Sequence, residues 1–129
     1  MAKIVVIDDE EMVLLTIREI LRRAGHEVFE AKDGVAGLEL QRQVAAPLVI
    51  TDIIMPRMEG LEAISELRRE FPDTRVIAIS GGGRTRNLDF LNMAGTFGAD
   101  RMLPKPFTPA DLMAAVNACL ATAPNPATP

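Results

Sequence analysis

Short runs of β-branched and other apolar residues alternate along this chain with longer stretches whose apolar positions recur at helical spacing. Ile4-Val5-Val6-Ile7, Leu48-Val49-Ile50-Thr51 and Met102-Leu103 are runs of the first kind, and strands are predicted at about 3–8, 27–31, 48–52, 75–80 and 100–103. Val13, Ile17, Ile20, Leu21 and Ala24 set the inward face of a first helix, with Gly25 placed to close it as a left-handed cap. The same spacing predicts helices at about 34–43, 60–70, 87–97 and 108–121. Five βα units in succession predict a parallel sheet with helices on both faces, because a parallel crossover needs a covering helix and takes one hand. The expected fold is a three-layer α/β sandwich. Its strands read as continuous apolar runs, as they do when both sheet faces are covered, and strand three is expected to be central.

Length adds one constraint and the tail another. The 129 residues predict a single domain over 1–122 with a core of its own, and the Pro-rich stretch 123–129 reads as a disordered tail or the stump of a linker. No folded output domain is expected in this chain. A net charge of -4 gives no pull toward nucleic acid or anionic membrane, so direct DNA or membrane binding is not expected. Cys119 is the sole cysteine, so no intramolecular disulfide can form; it reads as core filler in a reducing compartment. The four apolar residues after Lys3 are too few for a signal-peptide core, and no apolar run approaches a membrane span, so a cytoplasmic location is expected.

The polar groups that end the apolar runs carry the chemistry. Asp52 ends the third strand, Asp8 and Asp9 follow the first, Ser80 ends the fourth and Lys105 follows the fifth. In an open α/β sheet ligands bind beyond the carboxyl ends of the strands, so these five groups are expected to meet at one edge. Three neighbouring carboxylates repel one another unless a cation neutralises them. Hard oxygen donors with no nearby His or Cys set favour magnesium, which keeps waters and leaves positions open for a phosphoryl group. An aspartate is a competent nucleophile toward phosphorus when a metal and a lysine spread the charge that builds on the transferred group.

Read in order, Ile7-Asp8-Asp9, then Asp52-Ile53-Ile54-Met55-Pro56-Arg57-Met58-Glu59-Gly60, then Ser80, then Gly98-Ala99-Asp100 before Lys105-Pro106-Phe107, this set resembles the receiver domain of two-component response regulators. The resemblance covers residues 3 to about 121. It implies a flavodoxin-like fold with strand order 2-1-3-4-5, magnesium dependence, and phosphorylation of Asp52 by a sensor histidine kinase or histidine phosphotransfer protein. By the same resemblance Asp9 and Asp52 would ligate the metal directly, Asp8 through water and Ile54 by its backbone carbonyl. Lys105 would pair with the phosphoryl oxygens, and Ser80 would bond the phosphoryl group and move toward it as the switch.

Each residue also has a plainer reading. Asp8 and Asp9 precede Glu10 and Glu11 at a helix start, where acids gain from free amides and the helix dipole; the two roles are compatible. Asp52 could be a loop acid before Pro56, Ser80 a helix cap, and Lys105 a solvated charge, although the prolines on either side of Lys105 fix its direction. His26 reads as structural, and Gly81-Gly82-Gly83 as a flexible loop rather than a phosphate cradle. Three features depart from the usual receiver pattern. The stretch from Ser80 to Lys105 is somewhat long, Glu59 stands where Asp or Asn is commoner, and Met102 replaces the Tyr or Phe that turns inward during switching. Methionine is unbranched and can take both rotamers but has no ring.

On the first helix, Leu14 and Leu15 are expected to face solvent beside Arg18 and Arg22 as a dock for a kinase helix pair. The expected function is that of a stand-alone receiver, similar to the chemotaxis regulators: a phospho-aspartate switch acting on a downstream protein target or as a phosphate relay, with dimerisation on phosphorylation a possible outcome. It is expected to be no enzyme beyond its own phosphorylation and dephosphorylation. The alternative of another class is a phosphohydrolase using Asp52 as nucleophile, but the second acid that such enzymes place two residues on is Ile54 here. A degenerate receiver serving only as a binding module is disfavoured by the complete acid and lysine set.

Overall fold

Alternate residues of each strand feed two separate cores, and this is what builds the layers. In the computed structural model, which describes residues 2–53, 60–80 and 98–122, the strands are β1 (Lys3–Ile7), β2 (Glu27–Ala31), β3 (Leu48–Asp52), β4 (Arg75–Ser80) and β5 (Arg101–Pro104). The helices among these residues are α1 (Glu11–Arg23), α2 (Gly34–Val44), α3 (Gly60–Glu70) and α4 (Pro109–Thr122). All neighbouring strands are parallel, in the order β2-β1-β3-β4-β5, with β3 central and buried throughout. The expected three-layer fold and strand order are therefore observed, with β5 beginning one residue later than its apolar run suggested. The expected helix at 87–97, the Gly81–Gly83 loop and the tail 123–129 lie outside the described residues.

Ile4, Val6, Leu48, Ile50, Ile77 and Ile79 pack with α1 and α4, where Leu14, Ile17, Leu21, Leu112, Val116 and Cys119 complete the core. Val5, Ile7, Val49, Val76 and Ala78 point the other way, onto Leu38 of α2 and Ile64 and Leu67 of α3. Each fully buried Leu or Ile contributes about 1.5–3 kcal/mol, so a one-residue slip, which would exchange the two faces, is strongly disfavoured. Among the described residues no helix is long and apolar enough to cross a membrane.

The first helix corrects one expectation. Leu14 is 4% exposed and belongs to the inward face with Ile17 and Leu21, whereas Val13 and Ile20 flank it half-buried. The apolar stripe is wide enough to be centred on either side of Ile17, and packing against β1 and α4 selects the Leu14 side. Leu15, 39% exposed, stays outward as expected. Gly25 adopts φ +89° after the last turn, and the amides of Gly25 and His26 donate to Arg22 and Leu21, which closes the helix as a Schellman motif. His26 is structural, its Nδ1 accepting from the Ala2 amide at 3.1 Å.

Two polar devices fix the strand ends that matter later. Fully buried Gln41 donates to the Ala46 carbonyl at 2.8 Å and accepts from the Ala46 amide at 3.1 Å, holding the left-handed turn at Ala45 that launches β3. Asp100 accepts from the Val76 amide at 2.8 Å and from Arg68 at 2.9 Å, so β5 enters the sheet tied to both β4 and α3.

Gly37 of α2 lies against Ile7, the residue before Asp8. A Cβ there would meet Ile7 Cδ1 and would stand 2.6 Å from Ile7 Cγ1, and Ile7 is fully buried. Gly37→Ala gains up to about 1 kcal/mol of helix propensity, but overpacking costs roughly 1–3 kcal/mol. The expected net outcome is destabilisation by about 1 kcal/mol, read as a lower urea midpoint at unchanged slope.

Candidate functional site

The sheet is parallel, so β1, β3 and β5 all end at the same edge, and Asp8 just after β1, Asp52 at the end of β3 and Lys105 just after β5 meet there. The Lys105 ammonium stands 3.1 Å from Asp8 Oδ2 and 3.3 Å from Asp52 Oδ2, joining groups 97 and 53 positions apart in sequence. It also stands 3.3 Å from Glu10 Oε1. The Asp8 side chain has no exposure, that of Asp52 5% and that of Lys105 13%, so the ammonium closes a nearly dry acid pocket from the rim. Asp8 is oriented by the chain itself, its Oδ1 accepting from the Glu10 amide at 2.9 Å. The Glu10 side chain makes no capping bond to α1, whose N-cap it is.

Burial pushes the Asp8 carboxyl up to about 6, against the lowering effect of the Glu10 amide; the Asp52 charge raises it further and Lys105 offsets part of the rise. Burial alone would lower the Lys105 pKa, but the charges of Asp52 and Asp8 outweigh it and the net shift is upward. Asp8, Asp9, Glu10 and Asp52 each offer a carboxylate oxygen within 4.8 Å of the others. Oxygens on an octahedral magnesium stand about 3.0 Å apart when adjacent and about 4.2 Å when opposite, so carboxylates this close are placed for one or two of them to share an ion that keeps its other waters. Hard oxygens and a surplus of negative charge fit such a cation in kind as well as in size.

Of the groups expected at this edge, Asp8, Asp52 and Lys105 are brought into contact, and Asp9 joins the acid cluster while exposed to solvent. Ser80 ends β4 opposite Pro104, one residue before Lys105, which brings its backbone to the same edge. Ile54 lies outside the described residues. Met102 pairs with Ala78 in the sheet and is 43% exposed, the outward position of the two expected for it. Glu10 was not expected in the site. Its signal in the sequence is its place directly after the Asp8-Asp9 pair, a place that a helix start also accounts for.

Over residues 4–117 the chain matches the family model of the response regulator receiver domain. It is 31% identical over 122 residues to the alkaline phosphatase synthesis transcriptional regulatory protein PhoP of Bacillus subtilis (strain 168), covering 92% of this chain and 48% of that one. To the chemotaxis protein CheY of Thermotoga maritima it is 29% identical over 116 residues, covering 89% of this chain and 94% of that one. The crystal structure of a response regulator receiver domain protein from Clostridium thermocellum superposes with a TM-score of 0.86 at 35% identity, covering 94% of this chain and 95% of the other. The chain spans about half the length of PhoP and of the similar mycobacterial response regulators MprA.

A divalent cation held by this cluster would compete with Lys105 for the oxygens of Asp8 and Asp52. Lys105→Met is therefore expected to tighten magnesium binding several-fold, since an ion pair of this kind is worth on the order of 1 kcal/mol or more once partly desolvated. Titration calorimetry of magnesium into the two proteins checks it, and equal or weaker affinity in the variant contradicts it.

Proposed function

We propose a role that starts from one fact: the chain belongs to the family of response regulator receiver domains. In this role Asp52 accepts a phosphoryl group from a sensor histidine kinase or a histidine phosphotransfer protein, and the phosphorylated form changes the protein's contacts with a downstream protein target. The observation that carries this reading is the meeting of Asp8, Asp52 and the Lys105 ammonium within 3.3 Å at one sheet edge.

An Asp52 oxygen attacks phosphorus; the new O–P bond forms as the donor's bond to phosphorus breaks, its electron pair leaving on the kinase imidazole nitrogen. Lys105 turns from the carboxylates to the phosphoryl oxygens and holds the charge there. Asp9 and Asp52 would hold magnesium directly, Asp8 through water and Ile54 by its backbone carbonyl. When bound, that ion spreads charge from the oxygens of the transferring group. Ser80 bonds the phosphoryl group and moves toward it, and Met102, outward at rest, is the residue free to follow. A partner kinase and a single buried Cys119 support a cytoplasmic location. Dimerisation on phosphorylation is one form that the downstream contact can take.

The expected result with acetyl phosphate and magnesium is a lasting gain in intact mass that is absent in Asp52→Asn. Rapid catalytic release of phosphate would instead mark a phosphohydrolase, and no change with either donor or kinase a binding module.

On α1 and α2, Met12, Leu15 and Val35 are 70%, 39% and 41% exposed, and a cleft of about 500 Å³ runs beside the first two, bounded by Arg18, Glu30 and Lys32. The ion pairs Arg18–Glu30 and Lys32–Glu11 brace its walls. The exposed Met12 and Leu15 beside this cleft support docking of a kinase helix here, with Leu15 rather than Leu14 as the contact. Leu15→Arg is expected to slow phosphotransfer from the cognate kinase about tenfold, the loss typical of a central contact residue. A wild-type transfer rate in a folded variant would place the dock elsewhere.

A further inference from the structure

We propose that Glu10 is a positioning residue of the acid pocket: it helps to hold Lys105 while Asp52 is unmodified and must release it when a phosphoryl group arrives. The inference rests on the phosphoacceptor reading above and adds to it a member of the acid cluster to which that reading gives neither metal ligation nor nucleophilic attack.

Three observations carry it. Glu10 Oε1 lies 3.3 Å from the Lys105 ammonium, the same distance as Asp52 Oδ2, so Glu10 and the nucleophile share one cation. As N-cap of α1, Glu10 makes no side-chain capping bond, which leaves its carboxylate available to the pocket, while its amide aligns Asp8 at 2.9 Å. Its side chain is 62% exposed, against no exposure for Asp8 and 5% for Asp52, so of the three it can withdraw into water at least cost.

Charge gives the contact its consequence. Four carboxylates, those of Asp8, Asp9, Glu10 and Asp52, face one ammonium, an excess of three negative charges when all are ionised. A phosphoryl group adds more negative charge and must draw Lys105 to itself. Asp8 cannot leave, being buried and held by a backbone amide. Glu10 can swing outward, so the exchange of Lys105 from the rim carboxylate to the phosphoryl oxygens is the step that Glu10 opposes. An exposed pair of this kind shifts an equilibrium by roughly 1.5- to 5-fold, which sets the size of the effect.

The test compares wild type, Glu10→Gln, Glu10→Asp and Asp52→Asn, with thermal unfolding confirming that each is folded. Labelling by acetyl phosphate with magnesium is followed by intact mass, and magnesium affinity without donor by calorimetry. The expected result is labelling faster by roughly 1.5- to 5-fold in Glu10→Gln, with magnesium affinity reduced by no more than a similar factor. Glu10→Asp keeps the charge on a shorter arm, so it is expected to label faster than wild type as well, because the contact is lost. Wild-type labelling in both Glu10 variants overturns the proposal. So does faster labelling confined to Glu10→Gln, which would trace the effect to the general field, and so does a loss of magnesium affinity of tenfold or more, which would make Glu10 a metal ligand. If wild type gains no mass that Asp52→Asn lacks, the phosphoacceptor reading fails and this inference with it; if that difference is present, the fate of Glu10 is decided separately.

Discussion

The contact between the Lys105 ammonium and the buried oxygens of Asp8 and Asp52 is the interaction on which the site depends, and it exists because the sheet is parallel and in register. Burying Asp8 beside Asp52 is unfavourable by itself, as the raised Asp8 pKa records. A cation must accompany the pair, and the fold brings one from the end of β5, an edge strand two places removed from β3. Asp100, bonded to Val76 and Arg68, anchors the start of that strand. The position of the charge thus traces to a polar clamp at the opposite edge of the sheet.

The two cores enforce the same geometry from within. The faces of β1, β3 and β4 differ in which helices they meet, so none of these strands can shift by one residue without turning isoleucines of one core toward the other. Ile7 shows how closely packing and chemistry are joined. It fills the space beside Gly37 of α2, and the next residue is Asp8. Crowding at Ile7 is therefore transmitted directly to the backbone that presents the carboxylate.

Much of this was readable from sequence because long-range organisation here follows from local pattern. The apolar runs ending at Ile7, Asp52 and Ser80 located the strands to within a residue, and parallel topology did the rest by sending their ends to one edge. Side-chain facing on α1 was read less well, since the apolar stripe spans Val13 to Leu21 and two orientations satisfy it; only contact with β1 and α4 decides for Leu14. Glu10 was missed for a related reason. An acid at a helix start has a sufficient local explanation, and nothing in the neighbouring sequence reveals that a lysine 95 positions later reaches it.

A site with more negative charge than its own cation can balance is a poor design for permanent stability and a suitable one for a switch. Lys105 serves several acids at once, and none of them holds it alone. On the proposed reading, a divalent ion and a phosphoryl group would bring opposite charges to the same pocket, so each would offset the disturbance that the other causes and favour its binding by linkage. The strength of that linkage depends on how firmly Lys105 is held beforehand. The buried acids set the main hold, and the exposed rim carboxylate of Glu10 adds a weaker, screened one that, on the proposal above, is given up to water as Lys105 moves. In the resting pocket Lys105 is thus divided between fixed buried partners and one exposed partner that can yield, and on the proposed reading the yielding contact is the first that an incoming phosphoryl group would displace.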